Sequence, residues 1–221
     1  MKILLINGSP HRRGCVYTAL EEIAKTLEEE NIEAEILQIG REPVTGCIAC
    51  NYCQSHGRCV QDKDSVNKVI EKLDTWDGLI FGSPVYYGGP NGQITSFMDR
   101  LFYAAGNRMA GKVGAAVVSC RRGGATAAFD RMNKYFLMSR MIVPGSQYWN
   151  QIHGLTREDA LKDKEGLHGK FKIIGQVGLQ TMRALARQTA WILKCLDAGK
   201  KAGVPQPLQE PWIPTHFIQN T

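Results

Sequence analysis

Four cysteines fall within thirteen residues, at Cys47, Cys50, Cys53 and Cys59, and their x2, x2, x5 spacing is the strongest chemical signal in the chain. A single loop with that spacing can wrap its sulfurs around one centre, which is how iron–sulfur clusters are held. Structural zinc more often uses two Cys-x2-Cys pairs, or a pair plus histidines, separated by a longer loop. The bacterial ferredoxin run places its fourth cysteine closer and follows it with proline. Here Val60 follows Cys59, so a ferredoxin domain is not indicated. A zinc-stabilised scaffold and a set of reduced thiols shaping a compact loop stay open as alternatives. His56, inside the same loop, reads as a solvated side chain rather than a ligand.

Three glycine-rich turns carry the second signal. The first, Gly8 to Thr18, contains Ser9, Arg12, Arg13 and Cys15 and leads into a helix, whose N-terminal N–H groups and dipole suit a phosphate. It lacks the glycine spacing of a dinucleotide fingerprint and the lysine of a P-loop, which argues against ATP and a Rossmann-bound dinucleotide. The second turn, Ser83-Pro84-Val85-Tyr86-Tyr87-Gly88, offers a rigid backbone and two aromatic rings to a flat ligand. The third, Ser119-Cys120-Arg121-Arg122-Gly123-Gly124, offers backbone donors to the opposite rim of such a ring. Each is a weak signal singly. Together they describe a phosphate pocket beside a planar-ring pocket, the shape of flavin mononucleotide.

These turns must be positioned by alternating strands and helices, which argues for βαβ units and a parallel sheet. Lys2–Asn7, Glu33–Ile39, Gly78–Gly82 and Val113–Ser119 read as strands, and Met141–Val143 as the fifth. Helices are expected over Tyr17–Glu30, from Asp64 or Ser65 through Leu73, after the Val85–Gly92 loop where Ile94, Phe97, Leu101 and Phe102 share a period, over Thr126–Ser139 and over Val177–Gly199. Gln147–Gly154 takes no assignment, and residues 155–175 read as a charged surface excursion. One domain is expected over residues 1–203, with a cysteine loop at 44–63. A proline-rich tail at 204–221 carries Trp212 and Phe217 and is expected to dock, for instance on a neighbouring subunit.

The 221 residues suffice for one sizeable core. A net charge of +6 is scattered, with no basic stripe, so nucleic acid is not an expected partner. No apolar run approaches a membrane span, and the opening Met1–Ile6 run is too short for a signal peptide. Seven cysteines without an export signal argue against a disulfide framework, so the expectation is a cytoplasmic protein with reduced thiols.

The chain resembles the flavodoxin-like NADPH-dependent FMN reductases, in particular their iron–sulfur flavoprotein branch. The motifs that carry the likeness are Lys2–Pro10, the cysteine loop through Cys59-Val60-Gln61-Asp62, Gly82-Ser83-Pro84-Val85-Tyr86, and Asn91-Gly92 through Phe97, Asp99 and Arg100. The likeness covers about the first 145 residues. It implies an α/β, flavodoxin-like, doubly wound five-stranded parallel sheet of order 2-1-3-4-5, with FMN bound without a covalent link. Implied phosphate contacts are Ser9, Arg12, Val16, Tyr17 and Thr18, with Cys15 in the same turn. Implied ring contacts are Pro84, Val85, Tyr86, Tyr87, Gly88 and the turn holding Ser119, Arg121 and Gly123. Cys47, Cys50, Cys53 and Cys59 match the cluster motif. His11 stands where the family usually has arginine.

The implied activity is ping-pong oxidoreduction, with NAD(P)H giving hydride to flavin N5 and a quinone-like, nitro or azo acceptor taking the electrons. No side chain is named as a catalytic acid or base. The alternative is an electron carrier with a [4Fe–4S] cluster and ferredoxin-like partners; a non-enzymatic binding module is the reading from another class. A homodimer or homotetramer is expected.

Overall fold

The computed structural model describes residues 1–41, 43–162, 177–211 and 213. Most of the 155–175 excursion, and Trp212 and Phe217 of the tail, lie outside the described residues.

The strands are β1 (Lys2–Asn7), β2 (Glu33–Gln38), β3 (Gly78–Tyr86), β4 (Gly89–Pro90), β5 (Val113–Cys120) and β6 (Gln151–His153). Five of them form one parallel sheet in the order β2-β1-β3-β5-β6, and the two-residue β4 folds back antiparallel on β3. With that short hairpin set aside, the parallel strands run 2-1-3-4-5, the doubly wound order expected. β1 and β5 are buried almost end to end because helices cover both faces. Their side chains alternate between two cores. Leu4, Ile6, Ala116 and Val118 face one that contains Phe97, Leu101, Phe102 and Phe136. Ile3, Leu5, Ala115 and Val117 face the other, with Leu20, Ile23, Met182 and Leu185.

The helices are α1 (Cys15–Glu29), α2 (Tyr52–His56), α3 (Val66–Lys72), α4 (Gly92–Ala105), α5 (Ala125–Met138), α6 (Arg157–Lys162) and α7 (Val177–Lys201). α3, α4 and α5 pack on the first core, and α1, α6 and α7 on the second.

The edge of the sheet departs from expectation. Of the segment assigned to the fifth strand, Met141–Val143, only Ile142 pairs, in a single bridge to Val113. The chain then swings out and re-enters beside Val118–Cys120 as β6, in the stretch that took no assignment. Pro144 and Gly145 interrupt the ladder, since proline has no N–H to give it. The third strand also runs four residues further than expected. Tyr87 and Gly88, with φ of 50° and 76°, form the two-residue turn that returns it as β4. Paired positive φ values match the right-handed twist of a tight hairpin.

Candidate flavin rim and cysteine cavity

All three turns lie at the carboxyl ends of the strands, where β1 and β3 diverge toward opposite helical layers. The Gly8 N–H donates to the Gly82 carbonyl at 2.9 Å, and the Asn91 side chain donates to the Gly8 carbonyl at 2.6 Å. These bonds join the first turn to the second. The second meets the third at Gly88 and Gly124, where a Cβ built on Gly124 would lie 2.9 Å from the Gly88 Cα. Asn91 also accepts from the Ile94 N–H at 3.1 Å and so caps α4. Asn91→Ala is expected to cost about 1–2 kcal/mol, because it removes a cap and orphans a carbonyl in a buried turn. A urea denaturation series on the purified variant measures that loss directly.

The first turn fits a phosphate. Gly14 precedes α1 and supplies no capping side chain, so the helix start presents its first-turn N–H groups, those of Val16 and Tyr17 included, without a side-chain cap. Arg12 and Arg13 are exposed beside them. The two hydroxyls are both engaged within the turn. Ser9 is buried and accepts from the His11 N–H at 3.2 Å, while Thr18 donates to the Gly14 carbonyl and accepts from Arg157. Both shape the turn. Cys15 is buried and donates to the Thr156 carbonyl, and Val16 packs against Gly82. Both side chains are thus turned into the protein.

A buried network that the sequence did not disclose holds this turn. Asn7 accepts from the Ser9 N–H at 3.0 Å and donates to Gln38, and Gln38 donates to the Ser9 carbonyl at 2.7 Å. Asparagine inside an apolar strand run was the available signal.

In the second turn Pro84 and Val85 are half-buried, and Tyr86, Tyr87 and Gly88 are exposed. In the third, Ser119 is buried, Arg121 and Gly123 are exposed, and α5 begins at Gly124 without a side-chain cap. Trp149 stacks on Phe129 of α5 at 6.0 Å, which places this aromatic pair next to the third turn. An open cavity of about 370 Å³ lies between the first and second turns, lined by Pro10, Gly40, Val44, Tyr86, Asn91 and Gln93 among others.

The four cysteines line a second, narrow cavity of about 20 Å³, together with Gln61, Arg100 and Tyr103. Ala49 and Asn51 both adopt positive φ, at 52° and 56°, and so turn the chain sharply on either side of Cys50. For Ala49 this conformation carries a cost of about 1–2 kcal/mol, which marks a loop shaped for something other than its own stability. Burial pushes the Cys53 thiol up. Its own backbone opposes this, and charge on Cys59, Cys47 and Cys50 adds to the rise, so all four sulfurs lie within electrostatic reach. Yet among the described residues no three cysteine, histidine or carboxylate groups gather closely enough for one ion. A cuboidal cluster spreads its four thiolates over four irons, farther apart than ligands of a single zinc. The donor set fits the cluster better. His56 does not line the cavity; it stacks on Tyr52 at 3.8 Å and bonds Ser55.

Beneath this loop sits Arg100, which is 1% exposed. It pairs with Asp64 and donates to the Cys59 sulfur at 3.2 Å, to the Thr45 carbonyl at 3.3 Å and to the Gln61 carbonyl at 2.6 Å. Desolvation works to lower its pKa, but bonding to Asp64 and Cys59 outweighs burial and raises it above the ordinary value. The sequence signal was a cation on an otherwise apolar helix face, between Phe97 and Leu101.

No helix among the described residues is long and apolar enough to cross a membrane. An iron–sulfur flavoprotein of Methanocaldococcus jannaschii is 31% identical over 204 residues, covering 89% of this chain and 99% of its own. Another, from Methanosarcina thermophila, is 30% identical over 207 residues, 90% of this chain and 99% of its own. Among solved structures, a WrbA-like flavodoxin from Agrobacterium tumefaciens superposes with a TM-score of 0.58 at 16% identity, over 88% of this chain and 98% of its own. The Paracoccus denitrificans flavoenzyme NAD(P)H:(acceptor) oxidoreductase gives 0.59 at 18%, over 87% and 97%. Both structural matches speak to the fold. Residues 1–154 match the family of NADPH-dependent FMN reductases, and the chain belongs to that family.

Proposed function

We propose that this chain is an FMN-dependent oxidoreductase that carries a [4Fe–4S] cluster on Cys47, Cys50, Cys53 and Cys59. In this reading it moves electrons between a nicotinamide nucleotide or ferredoxin-like donor and a small acceptor. One observation carries the reading. The four thiols surround one cavity, and the loop that bears them enters through Val44, which also walls the rim cavity. When bound, flavin exchanges electrons in pairs or singly and the cluster one at a time.

The chain's own residues supply the binding and the field. The uncapped start of α1, with Arg12 beside it, holds a dianionic phosphate. The uncapped start of α5 and the Ser119–Gly123 backbone present N–H groups to the electron-rich edge of a ring, in the manner of an oxyanion hole. Pro84, Val85 and Gly88 bound the slot. The names of the curated relatives support the cluster, and the family match supports the flavin.

A second reading is a two-electron NAD(P)H:acceptor reductase with unmetallated thiols. The open rim cavity beside Tyr86 favours it, since a nicotinamide or quinone ring would fit there.

Anaerobic purification with flavin, iron and sulfide assays decides between them. The expected result is one FMN with about four irons and four sulfides per chain, a broad shoulder under the flavin bands, and bleaching by a low-potential donor. Cys50→Ser is expected to abolish the iron and sulfide while FMN stays bound. A flavin-only spectrum with stoichiometric bleaching by NADPH establishes the second reading instead. Protein that stays colourless when incubated with FMN overturns both.

A further inference from the structure

Arg100 is the most heavily engaged charged side chain in the molecule's interior, and neither flavin binding nor folding topology asks for it there. Its guanidinium ties together both ends of the cysteine loop, taking Thr45 at the entrance and Cys59, Gln61 and Asp64 at the exit. The Cys59 backbone is fixed as well. Its N–H donates to Asn67 at 2.9 Å and its carbonyl accepts from Asn67 at 2.9 Å. Asp64, besides pairing with Arg100, accepts from the Val66 N–H at 3.1 Å and so holds the start of α3. Cys47 and Cys50, by contrast, are exposed. One thiol of the four is therefore set in place by the fold, and it alone receives a charged donor among the described residues.

A cluster's potential depends on net charge, on hydrogen bonds to its sulfurs and on exposure. Uptake of one electron, from a low-potential donor such as reduced ferredoxin or dithionite, adds one negative charge. A guanidinium never gives up its proton near neutral pH. No proton moves in this step, so the added charge must be met by donors already in place. The Arg100 Nε–H is aimed at the Cys59 sulfur and buried from water, where such a bond is strongest.

We propose that Arg100 is a redox-tuning residue, whose Nε–H bond to the Cys59 sulfur raises the reduction potential of the cluster bound there. The inference rests on the cluster reading above. It makes the Cys59 corner the electron-accepting side of the site, and it links that corner to α4, whose first turn walls the rim cavity.

The selective variant is Arg100→Lys. Lysine keeps a cation facing Asp64 but puts a methylene where the Nε–H stood. In an EPR-monitored redox titration of the reconstituted holoprotein, iron and sulfide content is expected to match wild type. The potential is expected to fall by the equivalent of a tenfold or larger change in the oxidised-to-reduced ratio, ~59 mV for a one-electron couple. If that variant does not fold, Arg100→Met with Asp64→Asn removes the donor and leaves no orphan charge, and the same fall is expected of it. A loaded variant with an unchanged potential overturns the tuning role. Loss of the cluster from both variants in otherwise folded, FMN-binding protein also overturns it, because Arg100 is then a clamp for the loop and nothing more. A wild-type chain that takes up no iron and sulfide sinks the cluster reading first, and this role with it.

Discussion

Arg100→Ala is expected to destabilise the fold by about 3–5 kcal/mol, the range for removing one partner of a buried ion pair. The loss arises from what is left behind. Asp64, whose side chain is 5% exposed, keeps a charge with no counterion, and the Thr45 and Gln61 carbonyls lose their donor. The pair itself need not add net stability, because desolvating two charges offsets most of their attraction. Arg100→Met combined with Asp64→Asn is therefore expected to cost clearly less than the sum of the two single changes. Urea unfolding of all four proteins gives the coupling directly. Additive losses would show that the two side chains act independently, contrary to the geometry.

Gly40→Ala is expected to abolish tight FMN binding. Gly40 lies just after β2, where a Cβ would meet the Ser9 carbonyl oxygen at 1.8 Å and its carbon at 2.3 Å. Both are backbone atoms held by Gln38 and Asn7, so neither can move without opening the first turn. A displacement of that turn is expected to weaken FMN by at least a hundredfold, about 3 kcal/mol, with a further 1–3 kcal/mol lost from the fold by overpacking. Flavin fluorescence titration of the apoprotein measures the first and thermal unfolding the second. Gly46→Ala is the control, since a Cβ there meets nothing within 4 Å. Wild-type affinity in Gly40→Ala would remove the first turn from the flavin site.

Much of the architecture was readable from local pattern. Strands β1 and β5 are continuous apolar runs, and only a strand covered on both faces tolerates that. The helices showed their period, and their observed ends fall within two residues of those expected for α1, α5 and α7. The glycine and proline turns marked the rim. The cysteine spacing marked four thiols that line one cavity. Each of these is a one-dimensional signal, because the physics behind it acts between residues a few positions apart.

What remained hidden depended on distant partners. The edge strand forms at Gln151–His153 because β5 still has open ladder positions at Val118–Cys120, and nothing within that segment announces them. Ser9 and Thr18 look like free hydroxyls until their neighbours are placed; Thr18 then gives its proton to the Gly14 carbonyl, while Ser9 accepts from the His11 N–H. Arg100 stands out as a cation on an apolar helix face, but its partner, Asp64, 36 positions earlier, is found only once both are folded beneath the same loop. The sequence by itself determined the layers, the turns and the thiol donor set. Tertiary structure decided which thiol is held, by what charge, and how close that loop comes to the rim. Burial of a polar group is a property of everything packed around it, and no stretch of chain carries that information alone.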